Sequence, residues 1–92
     1  MNEYNKRVVA RLMQAIDAFM ADTIGLDEVQ SHLQSSVNLL EADTRGTREL
    51  VRTAEADIEE LRFTRLRDEQ RPAAVFRLDT LRESLRADMG NG

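Results

Sequence analysis

Four stretches of this 92-residue chain place apolar residues at steps of three and four. That spacing stacks side chains on one face of an α-helix, because a helix turns once every 3.6 residues. The first stretch runs from Glu3 to Met20, and its apolar positions are Val8, Val9, Leu12, Met13, Ile16, Phe19 and Met20. The only strand-like alternation, at residues 61–66, fits a helix end. The sequence therefore predicts an all-α fold.

The second helix is expected to start at a capping box formed by residues 27–30. In such a box the Asp27 carboxylate accepts from the backbone three residues on, and the Gln30 side chain reaches back to the cap. Gly25 is expected to take the left-handed conformation that ends the first helix. The apolar stripe of the second helix is Val29, Leu33, Val37 and Leu40. This helix should stop near Asp43.

The third helix has two candidate caps, Thr44 and Thr47. Its apolar stripe is Leu50, Val51, Ala54, Ile58 and Leu61. Continuing the same helix would turn Arg65 toward the core, a conflict between pattern and burial. We therefore expect this helix to end or kink near Arg62 to Thr64.

The fourth helix is expected to open near Asp68, with Pro72 in its first turn and acidic residues near the positive end of the helix dipole. Its apolar stripe is Ala74, Val75, Leu78, Leu81, Leu85 and Met89. Short connections favour antiparallel neighbours, and a chain this short holds only one core. We predict a compact up-down antiparallel four-helix bundle in which residues 1–89 form one domain and residues 90–92 a frayed tail.

Catalytic and metal chemistry find little support in the residue types. The chain has no Cys, which removes thiol nucleophiles and thiolate metal sites. His32 is the only histidine, so it has no second imidazole with which to share a metal, and we interpret it as an ordinary boundary residue. The densest carboxylates, Glu55, Asp57, Glu59 and Glu60, are interpreted as part of a salt-bridged solvent face. We expect no enzyme activity, no metal and no cofactor.

Neither the membrane nor nucleic acid is an expected partner. The first twenty residues carry charges throughout and show no export or membrane signal, so we expect a cytoplasmic protein. Residues 62–86 hold seven Arg against four acids. That local excess is modest, and the two aromatics in the segment, Phe63 and Phe76, both have core alternatives, so a solvated helix face is favoured over phosphate binding.

The most uneven charge distribution lies in residues 12–44, which contain no Lys or Arg. Six acids occupy this segment: Asp17, Asp22, Asp27, Glu28, Glu41 and Asp43. One interpretation is an acidic helical surface that attracts a basic partner. The other is that these acids cap helices and keep the protein soluble. Charge alone does not separate the two.

Phe63 is the other candidate for partner binding. Its neighbours Arg62, Thr64 and Arg65 would surround it with a polar rim if the ring is exposed. Burial statistics favour the alternative, in which Phe63 caps the core.

Two runs of the chain carry a resemblance to known proteins: residues 19–40, with the helix start Gly25-Leu26-Asp27-Glu28-Val29-Gln30, and residues 57–64, Asp-Ile-Glu-Glu-Leu-Arg-Phe-Thr. Both resemble small bacterial helical proteins, including some contact-dependent-inhibition immunity proteins. The resemblance covers about half the chain and transfers no residue roles. It implies a cytoplasmic protein that neutralises a cognate toxin by occluding it.

The leading hypothesis is a non-catalytic protein-binding module, an immunity-type inhibitor whose partner is a basic toxin domain. Its expected partner-binding residues are Asp17, Asp22, Asp27, Glu28, Glu41 and Phe63. One alternative is a structural homo-oligomer, such as a homodimer whose apolar stripes pair across a two-fold axis. A weaker alternative is nucleic-acid binding through the Arg-bearing last helix.

Overall fold

The computed structural model describes residues 2–41 and 46–90, and it places four α-helices there. They are α1 (Glu3–Met20), α2 (Leu26–Leu39), α3 (Thr47–Thr64) and α4 (Arg67–Gly90). Each helix packs against the next one in the chain, and α4 closes the bundle against α1. The molecule measures 39 × 22 × 19 Å, and the long dimension agrees with the roughly 36 Å length of a 24-residue helix. The predicted compact four-helix bundle is confirmed.

The core is built from the apolar stripes of all four helices. Its fully buried members include Val9, Ile16, Val29, Leu33, Val51, Ala54, Ile58, Ala74, Leu78 and Leu85. Leu50 is the one predicted stripe residue that is exposed. Five others are partly buried against the core: Met13, Met20, Val37, Val75 and Met89. With the stripes facing inward, the outer helix faces remain for binding.

α1 ends in a turn that the sequence analysis assigned to the wrong residue. Asp22, and not Gly25, takes the left-handed conformation, with a φ of 62°. The backbone N–H of Asp22 donates to the carbonyl of Phe19 at 3.0 Å, and that of Thr23 donates to Ala18 at 2.8 Å. This pair of bonds requires the left-handed residue directly after the helix cap, and Asp tolerates that conformation better than most side chains.

The capping box predicted for α2 is also wrong. The N-cap is Gly25, in extended backbone with a φ of −85°, so Asp27 is the second helical residue. Gln30 does not reach back to the cap. Its side chain is buried, donates to Glu55 Oε1 at 3.2 Å and accepts a bond from Arg62 on α3. A tertiary contact across two helices therefore replaces the local one.

α2 ends at Leu39, earlier than the predicted stop near Asp43. The side chain of buried Asn5 explains this exit. Asn5 Oδ1 accepts from the backbone N–H of Glu41 at 3.0 Å, and Asn5 Nδ2 donates to the Glu41 carbonyl at 3.1 Å. Because these bonds hold Glu41 beside α1, its backbone cannot continue the helix.

One of the two N-caps predicted for α3 is wrong. Thr47 is not the cap but the first helical residue, and its hydroxyl donates to Asp88 Oδ2 at 3.0 Å. The N-cap is Gly46, with a φ of 74°. The other candidate, Thr44, and the predicted acid Asp43 lie outside the described residues.

The turn from α3 to α4 is where the sequence pattern placed it. α3 ends at Thr64, and Gln70 donates to the carbonyls of Arg62 and Arg65, both at 3.2 Å. α4 begins at Arg67, so Pro72 lies in its second turn and not in its first. The helix continues to Gly90, the first residue of the predicted tail; the other two tail residues are not described.

Candidate protein-binding surface

Phe63 lies on the outer face of α3 and is 83% exposed. The core-capping interpretation of this residue is therefore wrong. Leu61, two residues earlier, is buried. Two residues span about 200° of a helix, so Phe63 points away from the core. Aromatic side chains are enriched among the anchors of protein interfaces, so this exposed ring is a candidate contact residue.

Two carboxylates flank Phe63 one helical turn earlier on α3. Glu59 and Glu60 are exposed, and neither forms an ion pair within the part of the chain that the structure describes. The neighbouring Arg62, in contrast to these two carboxylates, has a partner on another helix, because its guanidinium donates to Gln30 on α2. Glu59, Arg62, Gln30 and Phe63 border one shallow depression of about 200 Å³. We call Phe63, Glu59 and Glu60 the α3 ridge; it presents an exposed ring and two carboxylates, with the exposed Arg62 beside them.

Two more large apolar side chains are exposed near the turn between α3 and α4. Leu66 is 70% exposed and Phe76 is 78% exposed. Phe76 borders a depression of about 430 Å³ between the two helices, beside Thr64 and Arg65. A core position, the alternative that the sequence left open for Phe76, is therefore wrong. The position of Phe76 two residues after Ala74, out of phase with the α4 stripe, is the signal that could have identified it as exposed.

Two of the predicted partner-binding acids form ion pairs with arginines of the same chain. Asp17 Oδ1 accepts a hydrogen bond from Arg82 Nη1 at 2.7 Å, and the same guanidinium reaches Asp79 at 2.7 Å. The hydrogen bonds to Asp17 and to Asp79 raise the pKa of Arg82, because they favour its charged form. Asp22 forms a longer ion pair of 3.4 Å with Arg71. Arginines of α4 thus offset the charge of Asp17 on α1 and that of Asp22 in the turn after it.

The remaining predicted acids are divided between the two ends of the bundle. Asp27 and Glu28 are exposed in the first turn of α2 and have no ion pair among the described residues. Because Gln30 contacts Arg62, this turn lies at the same end as Phe63. Glu41 lies at the opposite end, where its backbone contacts Asn5. The structure therefore brings Asp27, Glu28 and Phe63 to one end and separates Glu41 from them.

A groove of about 430 Å³ runs between α1 and α2 on another side of the bundle. Val8 and Leu12 contribute to its apolar floor. Its rim residues are exposed: Tyr4, Arg7, Arg11, His32, Ser35 and Leu39. Neither of its arginines forms an ion pair with any residue in 2–41 or 46–90. We call this surface the α1–α2 groove; it is apolar at the bottom and positive at the edge.

The described residues contain no group of three or more Asp, Glu or His side chains placed to hold a metal ion. Within the same residues, no helix has both the length and the apolar character needed to cross a membrane. What the arrangement offers is a pair of surfaces of opposite charge, each with an apolar centre. No family model, curated protein or solved structure matches this chain.

Proposed function

We propose that this protein is a non-catalytic protein-binding module of the immunity type, which occludes a basic toxin domain in the cytoplasm. The observation that carries the proposal is the 83% exposure of Phe63 beside Glu59 and Glu60, two carboxylates that have no ion pair among residues 2–41 and 46–90. Exposed aromatic residues at the centre of a patch supply much of the binding free energy at protein interfaces. Negative charge at the rim accelerates encounter with a basic partner and disfavours acidic ones.

Asp27 and Glu28 extend the same end of the molecule and would add to its negative potential. Asp17 and Asp22 contribute less, because Arg82 and Arg71 already offset their charges. The proposed interface is therefore the α3 ridge with the first turn of α2, a smaller surface than the whole acidic segment.

Nucleic-acid binding through α4 receives less support. Four arginines of this helix are engaged with carboxylates of the chain, namely Arg71, Arg77, Arg82 and Arg86. A phosphate backbone would have to compete with these pairs, and Phe76 is the one aromatic side chain of α4 on which a base could stack.

The test is to place a photo-reactive phenylalanine analogue at position 63 in the native host and to identify the crosslinked protein by mass spectrometry. The expected product joins position 63 to a positively charged protein domain. The same analogue at position 86, on the exposed face of α4, is the matched control and should not give this product. Crosslinking only to acidic proteins other than a second copy of this chain, or equally from both positions, would refute the proposed surface.

The captured domain then allows a direct measurement of inhibition. Calorimetry with the purified domain should show affinity reduced at least about tenfold by Phe63→Ser and by the double change Glu59→Arg, Glu60→Arg. Co-expression should show that the native chain suppresses the toxicity of the domain and that the Phe63→Ser variant does not. A domain without toxicity would leave protein binding intact and remove the inhibitor role.

A further inference from the structure

We infer that the α3 ridge of one molecule docks into the α1–α2 groove of a second copy of this chain. The inference rests on the proposed protein-binding function and names one partner of the same ridge. Both halves of the contact are present on the molecule: the ridge has an exposed ring beside the carboxylates of Glu59 and Glu60, and the groove has an apolar floor with Arg7 and Arg11 at its edge. Opposite charges placed around apolar centres favour association.

The groove is suited to one helical turn of a partner. Arg7 and Arg11 are four residues apart on α1, about 6 Å along the helix, and both are exposed. Between them in the chain is Val8, whose buried side chain lines the groove with Leu12. Leu39 of α2, which is about half exposed, adds an apolar wall. A protruding ring could be buried here between two positive charges.

The ridge provides the matching groups at the matching spacing. Glu59 precedes Phe63 by four residues and Glu60 precedes it by three, so both carboxylates lie about one turn from the ring on the same side of α3. Neither acid is paired within the described chain, and neither are the two groove arginines. Docking would therefore form new ion pairs without breaking existing ones.

A single chain cannot satisfy this contact. α2 packs between α1 and α3, and the ring points outward from α3, so the ridge and the groove of one molecule face different directions. The two surfaces also differ from each other. Their contact is consequently head to tail, which gives a ring or an open chain of molecules in place of a two-fold dimer.

Sedimentation equilibrium of the purified chain tests this with two charge-reversed variants. One carries Arg7→Glu and Arg11→Glu; the other carries Glu59→Arg and Glu60→Arg. All four residues are exposed, and far-UV circular dichroism verifies that the helices are retained. The native chain should increase in mean mass with concentration. Each variant alone should remain monomeric, because its ridge and groove then have the same sign.

An equimolar mixture of the two variants should associate again, since each ridge then meets a groove of opposite charge. Phe63→Ser should weaken association at least about tenfold, and the matched Phe76→Ser should not. A native chain that stays monomeric, variants that associate like the native chain, or a mixture that fails to associate would each overturn the inference. So would loss of association in Phe76→Ser alone, which would indicate a two-fold contact through the α3–α4 face. None of these measurements uses a foreign protein, so their failure is distinguishable from failure of the crosslinking test.

Discussion

The guanidinium of Arg71 lies over the ring of Phe19, with its central carbon 4.7 Å from the ring centroid. The same group donates to the carbonyl of Phe19 at 2.9 Å and to that of Met20 at 3.3 Å. α1 has no basic residue in its last turn, so α4 supplies the cation that the negative end of a helix dipole favours. One side chain thus closes α1 and connects it to α4.

Replacing Arg71 should measure this connection. Arg71→Ala is expected to lower the free energy of unfolding by about 1–2 kcal/mol, because it removes a cation–π contact and two charge-assisted hydrogen bonds. Arg71→Lys should retain only part of the stability lost in Arg71→Ala, since an ammonium group cannot stack flat on the ring of Phe19 while it donates to two carbonyls. Urea unfolding gives the values. The control Arg86→Ala removes only an exposed pair with Glu83 and should lower the free energy of unfolding by less than about 0.5 kcal/mol. An equal loss of stability in the two alanine variants would show that Arg71 does not stabilise the end of α1.

Asn5 should be among the least replaceable polar residues. Asn5→Ala is expected to cost about 2–3 kcal/mol, because both backbone groups of Glu41 lose a fully buried side-chain partner. Asn5→Asp should not rescue stability, since a carboxylate has no N–H for the Glu41 carbonyl. Thermal unfolding followed by circular dichroism provides the comparison. Asn2→Ala, which removes an exposed N-cap, should cost only about 1 kcal/mol, and a reversed order would contradict the assignment.

The two loop glycines should respond differently to alanine. Gly46 has a φ of 74°, a left-handed conformation that costs a non-glycine residue about 1–2 kcal/mol. Gly46→Ala should lower stability by that amount. Gly25 has a φ of −85°, and an added Cβ would meet only the carboxylate of Asp27, at 2.8 Å, which can rotate away. Gly25→Ala should therefore cost less in chemical denaturation, and a larger loss at Gly25 would refute this account.

Two phenylalanines should separate binding from stability. Phe19 is buried, so Phe19→Ala is expected to cost about 3–5 kcal/mol through lost burial and the remaining cavity. Phe63→Ser should change the free energy of unfolding by less than about 0.5 kcal/mol, because the ring makes little contact with the fold. Parallel urea titrations measure both. A strongly destabilised Phe63→Ser variant would mean that its binding defects report unfolding.

Sequence reasoning was accurate where the information is local. The predicted bounds of α1, Glu3 and Met20, are those of the structure, because side-chain periodicity depends only on residues one turn apart. The end of α3 at Thr64 followed from the same local conflict between pattern and burial. The N-caps of α2 and α3 were less predictable, because the side chains of Gln30 and Thr47 bond to partners on other helices and not to the local backbone.

What the chain determined by itself is four helices, their inward faces and a net charge of −4. Only the tertiary structure decided which charges remain unpaired. Asp17 is paired with Arg82, which is 65 residues away in the chain, while Glu59 and Glu60 are left beside an exposed ring. The physical reason is the separation along the chain of the residues involved. A helix face follows from residues one turn apart, whereas an ion pair between helices depends on how those helices pack against each other.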